Sequence, residues 1–133
     1  MVVFMGETFG GLRFAEINGR TYINTTPHPI NFDCNGEIVT VPPSGVVINA
    51  SPKEEVVAVR DGVELVRTVF VGTPEGHARL DEIEEHFPGA FVVGSIIAAQ
   101  AYPGRVLAMV PAPGFERVPP DQKRMRLDKF TVY

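Results

Sequence analysis

Three residues of this 133-residue chain carry side chains that could take part in a reaction: His28, Asp33 and Ser95. His28 lies between Pro27 and Pro29, whose rings fix φ, so the backbone displays the imidazole rigidly, as a general base requires. Asp33 follows on the same predicted hairpin and could orient the imidazole. Ser95 precedes a predicted short helix whose free N–H groups could receive an anion. One hypothesis is therefore a small hydrolase or a nucleotide-binding protein.

Each of these residues also has a structural interpretation, which we favour. Thr26 and His28 can hydrogen-bond the turn in which they lie and hold two strands together. Asp33 comes just before Asn35-Gly36, a dipeptide typical of a hairpin turn. No complete catalytic constellation is visible in the sequence, so we expect a protein without catalytic activity, and the role of His28 stays open between the two interpretations.

The turns that contain Ser44 and Ser95 provide further candidate ligand-binding residues. The full set is Thr26, His28, Ser44, Gly94 and Ser95. Ser44 belongs to a Pro-Pro-Ser-Gly turn that lacks the lysine of a Walker loop. Ser95 follows Gly94, but Ile97 stands where a nucleophile elbow has its second glycine. We therefore expect Ser95 to cap a helix, with a small anion as its alternative role.

The histidines do not predict a metal site or any other cofactor site. His77 and His86 are nine residues apart on one predicted helix, which places them on opposite faces. They cannot share an ion as a His-x-x-x-His pair does. His86, near the helix C-terminus, is explained as a favourable partner of the helix dipole.

The charge is uneven along the chain. The net charge is −4, yet residues 117–133 hold five basic and two acidic side chains. This basic tail could contact nucleic acid, but the overall negative charge disfavours nonspecific binding to it. We expect instead that residues 126–133 form an edge strand, packed on the chain's own sheet or on a second subunit of a homodimer. The basic side chains would then face the acidic residues Asp81, Glu82, Glu84 and Glu85.

The spacing of turn residues predicts a strand-rich α+β fold. Asn18-Gly19, Asn35-Gly36 and Asp61-Gly62 each separate two β-rich segments and predict three hairpins of an antiparallel or mixed sheet. Helical spacing of apolar residues predicts two short helices, at about residues 73–87 and 95–102. We expect a core formed by Phe14, Ile23, Ile30, Val39, Val41, Val57, Val69, Leu80, Ile83, Phe91, Val93, Ile97 and Leu107.

Three motifs resemble a family of small uncharacterised proteins found in phages, archaeal viruses and some actinobacteria. The family opens with Asn-Leu-Thr-Pro-His, which is similar to Asn24-Thr25-Thr26-Pro27-His28 here. A Pro-Ser-Gly turn before a strand follows at residues 42–47, and an apolar strand with a small residue and Ser before a helix follows at residues 92–99. Thr25 stands where the family usually has Leu. The resemblance covers about residues 22–113 and implies a viral or mobile-element origin rather than a particular reaction.

Composition is consistent with one domain over residues 1–133. Hydrophobic residues make up 44% of the chain and charged residues 21%, as in soluble proteins that fold. The single cysteine, Cys34, cannot form an internal disulfide, so we expect a cytoplasmic protein. The longest apolar run, residues 90–101, is shorter than the ~20 residues needed to cross a bilayer, so we expect no membrane partner. Our favoured function is a noncatalytic accessory protein that binds a host macromolecule or a small ligand.

Overall fold

The structure, a computed structural model, describes residues 2–133. An eight-stranded mixed sheet contains β1 (Val3–Glu7), β2 (Arg13–Ile17), β3 (Arg20–Asn24), β4 (Ile30–Cys34), β5 (Glu37–Val41), β8 (Phe91–Gly94), β9 (Leu107–Pro111) and β10 (Met125–Thr131). A separate two-stranded sheet contains β6 (Ser51–Arg60) and β7 (Val63–Val71). The helices are α1 (Pro74–His86) and α2 (Ile96–Ala101), with a 3₁₀ turn at Pro120–Gln122. The predicted α+β class is confirmed.

Three tight turns join the hairpins β2–β3, β4–β5 and β6–β7, as the sequence predicts. Asn18, Asn35 and Asp61 each have a φ of 53°, and the glycine that follows each of them also has a positive φ. Two successive residues with positive φ give the turn whose twist matches that of the flanking strands.

Both helices begin at the predicted caps. The Thr73 hydroxyl accepts a hydrogen bond from the Gly76 N–H at 3.0 Å, and Pro74 occupies the first turn, where its missing N–H costs nothing. The Ser95 hydroxyl accepts from the Ala98 N–H, also at 3.0 Å. The predicted ranges 73–87 and 95–102 therefore match α1 and α2 closely.

The strand order is β1-β2-β3-β8-β9-β10-β4-β5. β3 runs parallel to β8, β8 runs parallel to β9, and β10 runs parallel to β4, so the sheet is mixed. The prediction of a C-terminal edge strand is wrong, because β10 pairs with β9 on one side and with β4 on the other. The apolar side chains of β10 are therefore explained by its position in the interior of the sheet, where both of its edges are paired.

The large sheet is strongly curled. Tyr22 on β3 and Phe32 on β4 are separated by three strands, which would hold them about 19 Å apart in a flat sheet. Their ring centroids are only 6.0 Å apart. Beyond β5 the chain also returns to the opposite half of the sheet, because the Ser44 N–H donates to the Asn24 carbonyl at 2.9 Å.

Two apolar clusters form the core. One lies inside the curled sheet, around Tyr22 and Phe32, and the other lies between the sheet and the helices, around Leu80 and Tyr102. Most predicted core residues are buried or half-buried. The predictions for Val57 and Ile97 are wrong, because these side chains are 62% and 44% exposed. Val57 lies on the protruding β6–β7 hairpin, and Ile97 faces outward from the first turn of α2.

The expected contact between the basic tail and the acidic helix is absent from the described residues, and Arg105 takes its place. The Arg105 guanidinium contacts the Asp81 carboxylate at 2.6 Å and the Glu84 carboxylate at 3.5 Å. Arg126 of the tail instead pairs with Asp128 two residues away, through bonds of 2.8 and 2.9 Å. The predicted packing of the tail on the chain's own sheet is confirmed, but its predicted contact with α1 of the same chain is wrong, because β10 lies inside the sheet between β9 and β4.

Candidate functional site

The loop that carries His28 is organised around the side chain of Asn24. This residue is 1% exposed, and its Nδ2 donates to the His28 carbonyl at 2.8 Å and to the Val41 carbonyl at 3.2 Å. Its Oδ1 accepts from the Thr26 N–H at 2.9 Å and from the Thr26 hydroxyl at 2.7 Å. All the hydrogen-bonding capacity of this buried amide is therefore used to hold the loop and to tie β3 to β5.

His28 contributes to this loop through its backbone. Its carbonyl accepts from Asn24 Nδ2 and from the Thr26 hydroxyl, whereas its imidazole is exposed and forms no hydrogen bond within residues 2–133. Thr26 therefore does hydrogen-bond within the turn, as its structural interpretation predicts. His28 does so only through its backbone carbonyl, and its side chain takes no part.

The three candidate catalytic residues do not converge. Ser95 lies at the same end of the sheet as the His28 loop, because Thr25 next to that loop donates its N–H to the Val93 carbonyl at 2.8 Å. Asp33 lies near the far end of β4, where its carboxylate accepts from the Gly36 N–H at 2.8 Å. The strand from Ile30 to Asp33 alone spans about 10 Å, so Asp33 cannot orient the His28 imidazole.

The other candidate ligand-binding residues have structural partners. The buried Ser44 hydroxyl accepts from the Val46 N–H at 3.2 Å and shapes the turn that closes the curled sheet. Gly94 is buried where an added Cβ would lie 2.6 Å from Val106 and 3.0 Å from the Thr25 hydroxyl. The small residue before Ser95 thus permits close packing of β8.

An open cleft of about 730 Å³ lies at the other end of the curled sheet. Its lining includes Arg20 and Arg126 as well as Asp33 and Cys34, and it includes neither His28 nor Ser95. Burial, reinforced by the negative charges of Asp33 and Glu37, raises the pKa of the Cys34 thiol. The thiol is therefore a poor nucleophile at neutral pH.

The described residues hold no cluster of three or more metal-ligating side chains. The His77 ring packs edge-on against Tyr102 at a centroid distance of 4.9 Å, and its Nδ1 lies 3.2 Å from an Arg105 nitrogen. His77 therefore contributes to the packing of α1.

The β6–β7 hairpin is the most unusual feature of the surface, and we call residues Ser51–Val71 the arm. It forms a two-stranded sheet of its own with a bulge at Val57. The strict alternation of β7 places Val66 and Phe70 on one face and Val63 and Leu65 on the other. Seven large apolar side chains of the arm are 37–63% exposed: Val56, Val57, Val59, Val63, Leu65, Val66 and Val71.

Tyr102 anchors the base of the arm to the body of the protein. Its hydroxyl donates to the Asn49 carbonyl at 2.9 Å, just before β6, and accepts from the Thr73 N–H at 3.0 Å, just after β7. Gly72 and Gly76 leave room for the ring, because an added Cβ at either position would overlap it. Phe70 packs into the same core cluster, so the base is fixed while the rest of the arm is exposed.

A second exposed apolar surface lies at the β1 edge of the sheet. We call it the β1 patch, and it consists of Val2, Val3, Phe4, Met5 and Phe9, which are 40–114% exposed. The alternation of β1 places Phe4 on one face of the strand and Val3 and Met5 on the other, so the patch covers both faces of this sheet edge. β1 pairs with β2, and its other edge is unpaired in the described part of the chain. Phe14 continues this surface toward α1, since its ring lies 6.1 Å from that of Phe4 and 4.7 Å from that of Phe87.

Sequence reasoning missed Asn24, Tyr102 and Arg105 and did not single out the arm. The turn dipeptide Asp61-Gly62 predicts the hairpin itself, but its exposure could not be predicted, because the same β-rich pattern is typical of a covered strand. The roles of the three side chains could not be predicted from local patterns, because each of them has a partner 17 to 53 residues away in sequence: Val41 for Asn24, Asn49 for Tyr102 and Asp81 for Arg105.

No family model, curated protein or solved structure matches this chain. Within residues 2–133, no helix is both long and apolar enough to span a membrane.

Proposed function

We propose that this protein is a noncatalytic binding module that docks onto another protein through the arm. The observation that carries this proposal is the exposure of apolar side chains on both faces of a hairpin that has no core of its own. An isolated two-stranded hairpin is marginally stable in water. Large exposed apolar surfaces on soluble proteins are typical of interaction sites. A partner that covers both faces would supply the missing core.

The charges of the arm support a protein partner over nucleic acid. Three basic residues (Lys53, Arg60 and Arg67) are matched by four acidic ones (Glu54, Glu55, Asp61 and Glu64). Arg67 is itself paired with Glu55 at 3.0 Å. A surface that neutralises phosphates needs an excess of basic side chains, which the arm lacks.

The alternative function, a small hydrolase or nucleotide-binding protein, has less support. The Ser95 hydroxyl is engaged at the start of α2, and Asp33 lies at the opposite end of β4 from the His28 loop. A small anionic ligand in the cleft has little support either, since Arg126 is already paired with Asp128.

The proposal includes a cytoplasmic location and a viral or mobile-element origin. The resemblance of residues 22–113 to a virus-borne family supports the origin, and a host macromolecule is then a natural partner. The single cysteine, Cys34, is free, which supports a reducing compartment.

Photo-crosslinking in the cell tests the docking function. We would place p-benzoylphenylalanine at Val63 or Val66, which lie on opposite faces of the arm, and at Thr40, an exposed control on β5. We expect discrete protein adducts from both arm positions and none from Thr40. Equal labelling at all three positions, or none at the arm, would contradict the proposal.

A further inference from the structure

We infer that the arm of one copy docks on the β1 patch of a second copy of this chain. The inference rests on the proposed function, because it names the partner that the arm binds. Two observations carry it: the chain bears two separate apolar surfaces of matching character, and a single chain does not bring them together.

The exposed apolar residues are concentrated on these two surfaces. Twelve of the eighteen large hydrophobic side chains exposed within residues 2–133 belong either to the arm or to the β1 patch. Soluble monomers rarely expose contiguous apolar patches larger than a few hundred Å², and larger ones are typical of interaction sites. A contact between copies would cover both surfaces at once.

The two surfaces lie at opposite ends of α1. The base of the arm adjoins Thr73 at the N-terminus of the helix, and the β1 patch adjoins Phe87 at its C-terminus. The thirteen residues of α1 separate them by about 20 Å. Within one folded chain the arm does not reach the β1 patch. The arm of a second copy can cover it.

The chemistry of the two surfaces is complementary. The arm exposes mainly valine side chains on its two faces, and β1 exposes the ring of Phe4 on one face and the side chain of Met5 on the other. Pairs of aromatic and β-branched side chains are favourable between neighbouring strands. Arg60 at the tip of the arm and Glu7 at the end of β1 both have exposed side chains and form no ion pair within the described chain.

The backbones are complementary as well. The outer edge of β1 is unpaired in the described residues, and so are the outer edges of β6 and β7. Strand addition across such edges supplies main-chain hydrogen bonds to a docking hairpin. β6 and β7 have ten and nine residues, about 30 Å each, and β1 has five, so an outer edge of the arm can pair along the whole length of β1.

Two copies can exchange arms reciprocally, which gives a twofold dimer, and a larger closed ring satisfies the same contact. We would test the contact by light scattering of the full chain, alongside Val66→Glu on the arm, Phe4→Glu on the patch and Thr40→Glu as the control. We expect a dimer or larger assembly for the full chain and for Thr40→Glu. Each of the other two variants should dissociate at least about tenfold more readily.

Disulfide trapping tests the contact without relying on dissociation. In a Cys34→Ser background, Val63→Cys protein would be mixed with Phe4→Cys protein under mild oxidation, with Thr40→Cys replacing either partner as the control. A disulfide that joins the two different variants, and does not form with Thr40→Cys, supports the inference. An assembly that persists in both glutamate variants overturns it.

Hydrogen exchange separates the failure of this inference from failure of the proposed function. A monomeric protein whose arm amides exchange rapidly would overturn docking on a second copy and would leave the arm free for another protein. The informative amides are those of the arm that point away from the β6–β7 ladder, since they have no partner within the hairpin. A monomeric protein in which these amides are protected would overturn both, because the arm would then be covered by the rest of its own chain.

Discussion

At the scale of single residues, the loop before β4 is held in place by the buried side-chain amide of Asn24 and not by the exposed imidazole of His28. The two prolines stiffen the backbone around His28, but they do not specify how the loop attaches to the sheet. Asn24 does so, because its amide satisfies two carbonyls and the Thr26 donors from a position without access to water. An unsatisfied buried polar group costs about 1–3 kcal/mol, so the loop depends on this side chain.

Replacing Asn24 should therefore destabilise the protein far more than replacing His28. We expect Asn24→Ala to lower the free energy of unfolding by about 2–4 kcal/mol, because several buried partners lose their hydrogen bonds together. We expect His28→Ala to change it by less than about 0.5 kcal/mol, since the imidazole is exposed. Urea unfolding followed by circular dichroism measures both, and a larger loss for His28→Ala would contradict the arrangement described for this loop.

Alkaline pH should destabilise the fold through Cys34 and Tyr22. Burial raises the pKa of the Cys34 thiol above its ordinary 9.0, and burial raises the pKa of Tyr22 above 10.0, although Arg20 partly offsets the second effect. The unfolded chain loses these protons first, so it binds fewer protons than the folded chain above about pH 9, and stability falls as pH rises through the folded-state pKa values.

The urea midpoint should therefore be lower at about pH 10.5 than at about pH 8. Cys34→Ser is the matched control, because it removes the thiol and should make the first part of the decline shallower. A midpoint that stays constant over this range would show that neither group is as buried as the structure has it.

At the scale of elements, the arm is a strand pair that exposes apolar side chains on both of its faces over most of its length. Its base is held by Tyr102 and Phe70, while the rest exposes residues that elsewhere in the chain form the core. Helix α1 is the opposite case, since Leu80 and Ile83 are buried on one face and acidic side chains are exposed on the other.

Equivalent truncations in these two elements should have unequal effects. We expect Leu80→Ala to lower the free energy of unfolding by about 2–4 kcal/mol, because it opens a cavity in the core. Val57→Ala should change it by less than about 0.5 kcal/mol, because the side chain is already exposed. Thermal or urea unfolding at a concentration low enough for the monomer to dominate makes the comparison, and similar losses in both variants would mean that the arm folds back onto the body.

Local signals in the sequence were sufficient for most elements but not for their arrangement. The three turn dipeptides and the Thr73 and Ser95 caps act over two to four residues, so the hairpins and helices could be predicted. The burial of Val57 could not, because the same β-rich pattern is typical of a covered strand and of an uncovered arm. The closing of the sheet by Asn24 and the pairing of Arg105 with α1 depend on long-range contacts that no local pattern encodes.

At the scale of the whole molecule, the order of the sheet makes the two ends of the chain unequal. β1 lies at an edge and pairs with β2 alone in the described chain, whereas β10 joins two halves of the sheet that are distant in sequence. β10 also places Phe130 in the cluster inside the curled sheet, with its ring 6.1 Å from Phe32 on β4 and 6.3 Å from Phe91 on β8.

Deleting residues 123–133 should therefore prevent folding rather than merely weaken association between subunits. The deletion removes β10, which leaves β9 and β4 without their shared neighbour and exposes the aromatic core. We expect a product that is insoluble or lacks the cooperative unfolding transition of the full chain. The matched control deletes only Val132 and Tyr133, which follow β10 and are 60% and 46% exposed, and it should keep the Tm of the full chain within a few degrees. Circular dichroism and light scattering compare the two deletions, and a folded, soluble product lacking residues 123–133 would show that the sheet does not need the strand at its centre.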